Sequence, residues 1–241
     1  MDRLIYLAMS GAKATMQRQD TLANNLANVS TVGFRAELAA FRAVPVQGSG
    51  ASTRVYALET TPGYDASPGQ VAGTGRKLDV AMKGDAWLAV QGLDGTEAYT
   101  RGGSLDVAAD GTVMTVGGLT VLGDGGPIQA PPNVELSIGA DGTVSATDAN
   151  GRSSPVGRLK LVTPEAPLDR GTDGLFRSAA GDLPADPNAR LQDGALEGSN
   201  VSAVATMVAM IAAARQFEAQ MKSLQTAEGN DKAASQLLSA S

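Results

Sequence analysis

The sequence contains neither cysteine nor histidine. Without cysteine there can be no disulfide, no thiolate nucleophile and no cysteine-bound zinc site. Without histidine, the usual base that activates a serine or cysteine nucleophile is missing, and so is the commonest metal ligand. These absences exclude most familiar catalytic sites. We therefore predict that the protein is not an enzyme and has no catalytic residues, no cofactor and no metal site.

Positive charge and long hydrophobic runs are also scarce. The chain has 19 Lys and Arg against 25 Asp and Glu, a net charge of −6. Binding to nucleic acid requires a concentrated positive field, so no nucleic-acid partner is predicted. The longest apolar run, residues 201–214, is shorter than the ~20 residues that a bilayer span needs, so no membrane insertion is predicted. A shorter run at 4–9 lacks the positive flank of a signal peptide.

Both ends of the chain carry apolar residues at helical spacing. Steps of three and four residues are the signature of a coiled-coil seam, and they predict two long helices that pair. A terminal helix of about 36 residues would be ~54 Å long, which is longer than a small domain is wide, so much of its surface should meet other molecules. The C-terminal stripes are Val201, Val204, Val208 and Ile211, then Met207, Met210, Ala214, Phe217, Met221 and Leu224; the N-terminal stripe is Ile5, Met9, Ala12, Met16, Gln19 and Leu26.

Three asparagines, Asn24, Asn25 and Asn28, stand near the end of the N-terminal helical pattern. Asparagine is a poor helix former because its amide competes for backbone groups, so the cluster requires an explanation. One explanation is a fraying helix end that Gly33 closes in the left-handed conformation. The other is that the amides bond to neighbouring chains, as polar residues in apolar seams do.

The middle of the chain changes to a period of two. Residues 77–183 alternate apolar and polar positions between repeated Asp-Gly or Asn-Gly dipeptides. Such dipeptides suit the positive φ angles of type I′ hairpin turns, and their series predicts an antiparallel β domain. The stretch Ala-Asp-Gly-Thr-Val occurs twice, which indicates reused hairpin chemistry. The dipeptides begin at Asp94, Asp110, Asp124, Asp141 and Asn150.

The predicted fold class is α+β, with long N- and C-terminal helices that pair as a coiled-coil module and a central antiparallel β domain. We expect four segments along the chain. They are an N-terminal helix over 1–37, an extended connector over 38–72, the β domain over 73–190 and a C-terminal helix over 191–241.

Three sequence blocks resemble the flagellar basal-body rod and hook protein family. The first is Ala-Asn-Asn-Leu-Ala-Asn at 23–28, followed by Thr-Val-Gly-Phe at 31–34. The second covers residues 78–90, from Leu-Asp-Val-Ala to Trp-Leu-Ala-Val, with Tyr-Thr-Arg-Gly-Gly at 99–103. The third is Leu-Glu-Gly-Ser-Asn-Val at 196–201. The family often has two aromatic residues in the second block, where this chain has Trp87-Leu88.

The resemblance implies a structural subunit of the bacterial flagellar rod, within its proximal part, that self-assembles through terminal helices and transmits torque. Its expected partners are copies of itself, other proximal and distal rod proteins and the flagellar type III export apparatus. Its expected location is the periplasmic rod of the basal body, reached without a cleaved signal peptide. Alternatives are a distal-rod or hook member of the family, or an exported adhesin-like surface protein.

The residues expected at subunit interfaces combine the block residues with the helical stripes. They are Asn24, Asn25, Leu26, Asn28, Phe34, Asn200, Val201, Val204, Met207, Ile211, Phe217, Met221 and Leu224.

Overall fold

The computed structural model describes residues 2–45, 55–59 and 63–239. These residues form an α+β protein with a helix at each end and antiparallel strands between them, which confirms the predicted fold class at this level. Helix α1 spans Asp2–Ala27 and helix α2 spans Ala203–Ser239. The chain divides into two compact units. The helical unit comprises Met1–Val29, Ala36–Asp65 and Val201–Ser241, and the β unit comprises Ser30–Arg35 and Ala66–Asn200.

Helices α1 and α2 contact each other along a seam of small residues. Small side chains let helix backbones approach closely. At Gly11 the approach is so close that an added Cβ would lie 3.0 Å from the Gln220 side chain. The larger Met9 and Met16, which belong to the predicted N-terminal stripe, are exposed. The buried seam residues are Ala8, Ala12 and Thr15 on α1 and Thr206, Ala213 and Ala227 on α2.

Helix α2 begins at Ala203. Its cap is Ser202, whose hydroxyl oxygen accepts a hydrogen bond from the backbone N–H of Ala205 at 3.4 Å. This contact satisfies one of the free N–H groups of the first turn. At the other end of the chain, Gly33 has a φ of 70°, as the left-handed prediction requires, but α1 already ends at Ala27. Gly33 therefore does not close the helix.

Four short strands in the described part of the helical unit accompany its two helices. Strand β1 (Glu37–Leu38) pairs with β4 (Gly63–Tyr64), and β2 (Phe41–Pro45) pairs with β3 (Val55–Glu59), both antiparallel. Strands β1 and β3 contact α1.

The β unit contains sixteen strands in the described part of the chain, and its pairings are antiparallel. One sheet has the order β17-β18-β8-β7-β11-β10-β9, with β12 paired to β11 and β16 paired to β7. The other sheets are β13-β14-β15, β19-β6 and β20-β5. The strands are β5 (Val71–Gly73), β6 (Val80–Met82), β7 (Trp87–Gln91), β8 (Glu97–Thr100), β9 (Leu105–Val107), β10 (Val113–Thr115), β11 (Thr120–Gly123), β12 (Gly126–Pro127), β13 (Glu135–Ile138), β14 (Thr143–Thr147), β15 (Ser153–Arg158), β16 (Leu161–Val162), β17 (Asp169–Arg170), β18 (Phe176–Arg177), β19 (Leu191–Asp193) and β20 (Ala195–Glu197).

The core of the β unit consists of aliphatic side chains from most of these strands. On β13 and β14, alternation places one residue in two inside, at Leu136 and Ile138 and at Val144 and Ala146. Strand β6 and the first four residues of β7 are instead buried without alternation. The side chains of Leu88, Val90, Leu105, Val121 and Leu191 are completely buried in this core.

The turns of the β unit differ from the predicted type I′ turns. Among the non-glycine residues that the structure describes, only Asn133 has a positive φ, so Asp94, Asp110 and Asp141 do not. In the loop 108–112, Gly111 N–H donates to Ala108 O and Ala108 N–H to Thr112 O, both at 2.9 Å. This is a type I turn followed by a left-handed glycine. Loops 92–96, 139–143, 148–152 and 171–175 repeat the pattern.

Each of these loops also uses an aspartate as a local hydrogen-bond acceptor. The Oδ1 atom of Asp110 accepts from Thr112 N–H at 3.0 Å, and Asp141 accepts from Thr143 N–H at 3.0 Å. These loops contain the two Ala-Asp-Gly-Thr-Val copies. The identical bonds confirm that the repeat encodes one turn used twice.

Candidate functional site

The second and third sequence blocks, together with the residue that follows the first block, meet at one buried carboxylate in the β unit. Glu197, the last residue of β20, is completely buried. The Arg35 guanidinium Nη2 lies 2.7 Å from its Oε1 atom, and Arg101 Nε donates to its Oε2 atom at 2.8 Å. Both arginine side chains are only 3% exposed. A buried charge is costly unless it is paired, so Glu197, Arg35 and Arg101 depend on one another. We call these three residues the ion triad.

Arg101 is held by further acceptors. Its Nη1 atom donates to Gly84 O at 2.8 Å and to Ala86 O, and its Nη2 atom donates to Met82 O at 3.0 Å. Burial lowers the pKa of the Arg101 guanidinium, while Glu197 opposes that shift by favouring the charged form. Arg101 therefore connects the end of β20 to the segment between β6 and β7.

Arg35 is less completely satisfied than Arg101. Among the described residues, none accepts a hydrogen bond from its buried Nε or Nη1 atom. The triad carries two positive charges and one negative charge. Glu197 is consequently the only counter-charge that the triad itself supplies.

Gly33 passes so close to the central block that no side chain fits. A Cβ atom there would overlap the carbonyl carbon of Arg101 and the amide nitrogen of Gly102. The Gly33 N–H donates to the Glu197 carbonyl oxygen at 2.7 Å. Glycine is required at this position both by the positive φ and by the close approach.

The Phe34 ring packs against the guanidinium group of Arg170, which lies on β17. The Arg170 guanidinium lies 4.5 Å from the centre of the Phe34 ring and 5.9 Å from that of Phe176. Arg170 Nη1 also donates to Arg35 O at 3.2 Å. Asn200 N–H donates to Phe34 O at 3.3 Å. Phe34 and Asn200, both expected at subunit interfaces, thus make contacts within the β unit.

The asparagine cluster has partners within its own chain. Asn25 is buried and bonds the backbone of Glu37 twice, donating from Nδ2 to the carbonyl oxygen at 2.9 Å and accepting at Oδ1 from the N–H at 2.8 Å. Asn24 Nδ2 donates to Glu37 Oε2 at 2.8 Å. Asn28 Nδ2 donates to the carbonyl oxygen of Asn24 at 2.9 Å. The side-chain amides of Asn24 and Asn25 therefore hold Glu37, the first residue of β1, close to the end of α1.

The remaining expected interface residues lie on the two helices, except Val201, which lies two residues before α2. Val204, Met207, Ile211 and Met221 are exposed, and Val204 is 74% exposed. The side chains that are half-buried are Leu26, Val201, Phe217 and Leu224.

Glu197 and Arg101 lie within the sequence blocks, but the sequence does not predict the ion triad. Arg101 and Glu197 are 96 positions apart, and a single charged residue in a sequence does not reveal its partner. The available signal was the placement of these charges inside motifs that were otherwise apolar or glycine-rich.

Two other kinds of feature, a metal site and a membrane-spanning helix, are not found among the described residues. They contain no group of three or more acidic side chains placed to hold a metal ion. No described helix combines the length and hydropathy that a membrane crossing needs.

Comparison with known families matches three stretches of the chain to flagellar models. Residues 5–35 match the model described as flagella basal body rod protein, residues 81–146 match the D1 domain of the flagellar hook protein FlgE/F/G, and residues 192–237 match the C-terminal part of the flagellar basal body rod FlgEFG protein. These matches include Arg35, Arg101 and Glu197.

Full-length relatives agree with these models. The chain is 49% identical to the flagellar basal-body rod protein FlgF of Escherichia coli and 48% identical to that of Salmonella typhimurium, each over the full length of both chains. It is 33% identical to the flagellar basal-body rod protein FlgG of Bacillus subtilis, over 95% of this chain and 96% of the relative.

Proposed function

The chain belongs to the flagellar basal-body rod protein family, and we propose that it builds the proximal part of the rod through its two terminal helices. As a member of this family it is a structural subunit of the bacterial flagellar rod, is not an enzyme, and is most like FlgF among the relatives compared. The hook and adhesin-like alternatives are not favoured by these relatives. The helices are the natural place for assembly contacts because they leave large apolar side chains uncovered.

The single observation that supports this assignment is an exposed apolar stripe on α2. Val204, Val208 and Ile211 recur every three or four residues and are 74%, 62% and 56% exposed. The face toward α1 instead carries the small seam residues Ala213 and Thr206. Burying apolar area contributes about 25 cal/mol per Å², so a row of exposed aliphatic side chains favours association. We define Val204, Val208 and Ile211 as the outer stripe.

The outer stripe is confined to the first three turns of α2. The same face continues with the charged Arg215 and Lys222, both exposed. We therefore place the main contact with neighbouring subunits in the first half of α2, and expect the second half to interact through polar groups.

The expected interface residues then fall into two groups. Val204, Met207, Ile211 and Met221 would contact neighbours directly, together with exposed parts of Leu26, Asn28, Val201, Phe217 and Leu224 and the exposed Asn24. Asn25, Phe34 and Asn200 would act indirectly, because their contacts hold the segments next to the helices in place.

Burial along both helices supports pairing as a coiled coil. Among the described side chains, the buried positions of α2 are seven or fourteen residues apart, at Thr206, Ala213 and Ala227. On α1, Asn25 is bonded to Glu37 of β1, and the other buried positions, Ala8, Ala12 and Thr15, are separated by four and three residues. These intervals fit a heptad seam. Such a seam resists torsion because slippage exposes apolar area, which suits a shaft that transmits torque. The segments 1–37 and 191–241 would form this module, with 38–72 as the connector and 73–190 as the β domain.

The partners follow from the same assignment. Neighbours would be copies of this chain and other proximal and distal rod proteins, and delivery would use the flagellar type III export apparatus without a cleaved signal peptide. The assembled protein would lie in the periplasmic part of the basal body. No nucleic-acid partner and no membrane insertion are proposed.

The test is to replace Val208 by Asp on the outer stripe and to follow the protein into basal bodies in its native organism. A charge in a buried apolar contact is costly, so Val208→Asp should reduce incorporation and motility strongly. The same charge at Gln216, which is exposed on another face of α2, should leave both nearly normal. Equal incorporation of the two variants would refute the proposed use of the outer stripe.

A further inference from the structure

The most exposed large hydrophobic side chain in the described chain stands at a hairpin tip of the β unit. Leu93, in the loop 92–96 between β7 and β8, is 91% exposed. The tip is held rigidly. Gly92 N–H donates to Thr96 O at 2.8 Å, Asp94 Oδ1 accepts from Thr96 N–H at 3.1 Å, and Arg177 Nη2 lies 3.2 Å from Asp94 Oδ2. A rigid exposed leucine loses little freedom when it binds.

The β unit also contains an open groove that could receive such a tip, because its lining is apolar and includes basic residues. It encloses about 370 Å³, lies beside strands β9 and β13, and borders the main core. Two basic residues stand at its rim, with Lys77 59% exposed and Arg76 45% exposed. The groove is lined by the apolar Leu78, Val107, Val134 and Leu136 and by Arg76, Lys77 and Glu135.

We propose that the Leu93 tip of one copy of this chain docks into the groove of the next copy. Leucine would occupy the apolar floor at Val107 and Val134. The Asp94 carboxylate, 52% exposed and adjacent to Leu93, would meet Lys77 and Arg76. Lys77 is paired with Glu135 at 2.7 Å, but exposed ion pairs contribute little, so Lys77 can exchange partners.

The contact is head-to-tail because tip and groove are different surfaces of one unit. Heterologous contacts of this kind generate rings or open helical assemblies, whereas self-complementary patches close into dimers. A rod requires the first kind. The inference therefore rests on the proposed function, and it adds a contact between β units to those of the helices.

The contact should be weak in isolation. One hairpin tip buries less than the roughly 1,200 Å² of a stable protein interface, so pairs of free subunits should dissociate readily. In an assembled rod the contact would repeat from copy to copy. Removing the leucine by Leu93→Asp should weaken self-association of the concentrated protein about 10- to 100-fold.

The absence of native cysteine makes a cross-linking test specific. We would introduce Leu93→Cys and Val134→Cys together in the full-length chain and treat isolated basal bodies with a short bis-maleimide. Because each copy then offers one tip and one groove, the expected product is a ladder of dimers, trimers and longer chains. Leu93→Cys alone should give no product, and a dimer from it would indicate tip-to-tip contact and refute the proposal.

The matched control is Leu93→Cys with Ser154→Cys, which places the second thiol on the exposed strand β15 outside the groove. A ladder from the groove pair but not from the control pair supports docking. Incorporation of the double variant without a ladder refutes docking while leaving the proposed function intact. If the double variant is not incorporated, the same cross-linking is carried out on the purified protein at millimolar concentration. Absence of the ladder there also refutes docking.

Discussion

The β unit and the helical unit bury opposite kinds of side chain. The β unit hides its large aliphatic residues and even four charged ones, Arg35, Asp79, Arg101 and Glu197, and it exposes few apolar side chains. The helical unit buries small residues such as Ala12 and Ala213 and exposes several larger ones, such as Val204 and Ile211. Because these buried charges have partners within the β unit, the unit satisfies its own contacts. A unit that leaves valine and isoleucine in water still lacks part of its packing, and in a rod protein neighbouring subunits can supply it.

The largest effect is expected from disabling the ion triad of the β unit. Glu197→Ala leaves two arginines buried without their counter-charge, and breaking such a pair costs about 3–5 kcal/mol of unfolding free energy. Urea denaturation of the full-length protein, followed through Trp87 in the β unit, measures this loss.

Two control variants show whether charge pairing is the cause. Glu135→Gln removes an exposed partner of Lys77 and should cost less than about 1 kcal/mol. Arg35→Met should cost less than Glu197→Ala, because Arg101 still pairs with Glu197. If all three substitutions destabilise the protein equally, pairing within the triad is not what stabilises the β unit.

The second prediction concerns close packing of the backbone. Gly33 and Gly75 have nearly the same positive φ, 70° and 71°, but a Cβ at Gly33 would overlap the backbone of Arg101 whereas nothing lies within 4 Å of a Cβ at Gly75. Gly75→Ala should therefore cost only the backbone strain, about 1–2 kcal/mol. Gly33→Ala adds an unavoidable overlap and should cost about 1–3 kcal/mol more. Equal unfolding free energies for the two variants would show that the backbone near Arg101 can move aside.

How far the sequence predicts these features depends on whether they are local. Period and turn residues predicted the helices, the antiparallel β domain and the left-handed Gly33, because those signals lie within a few neighbouring positions. The turn type was wrong because Asp-Gly also suits a type I turn followed by a left-handed glycine, and the hydrogen bond that Thr112 N–H donates to Asp110 Oδ1 favours that form.

The candidate site was less predictable because it depends on distant residues. Pairing of Arg101 with Glu197 joins two segments far apart in sequence, and neither position shows a periodic signal. The helical pattern revealed that apolar stripes exist, but it could not say that the inward face uses Ala213 while Ile211 faces outward. That choice follows from how closely the two helices approach, which no single helix determines.

Two adjacent alanines of α2 should respond differently to the same substitution. Ala212 and Ala213 are neighbours, but Ala213 is 1% exposed in the seam with α1 and Ala212 is exposed. Ala213→Leu forces a larger side chain into a close seam and should cost about 1–3 kcal/mol. Ala212→Leu should change the unfolding free energy by less than about 0.5 kcal/mol. Helix content against temperature, followed by circular dichroism, distinguishes them, and an equal effect would mean that α1 and α2 are not closely packed in solution.

The smallest expected effect concerns the pKa values of exposed carboxyl groups in the two units. In the β unit, the backbone N–H groups of Thr112 and Thr143 lower the pKa values of Asp110 and Asp141. In the helical unit, a hydrogen bond and the charge of Lys232 lower the pKa of Glu228. A carboxyl whose pKa is lowered by folding adds stability above its unfolded pKa, about 4, and loses it as pH falls through the folded value.

Salt separates these two causes. Because Lys232 acts as an exposed charge, 1 M salt should screen it and return the Glu228 pKa toward its ordinary value. The hydrogen bonds that Asp110 and Asp141 accept are short-range, so their pKa values should stay low in the same salt. Carboxyl titration by NMR at low and high salt measures all three groups in one sample. A parallel rise at Asp110 and Glu228 would show that long-range charge, and not the turn hydrogen bonds, sets the acid response of the β unit.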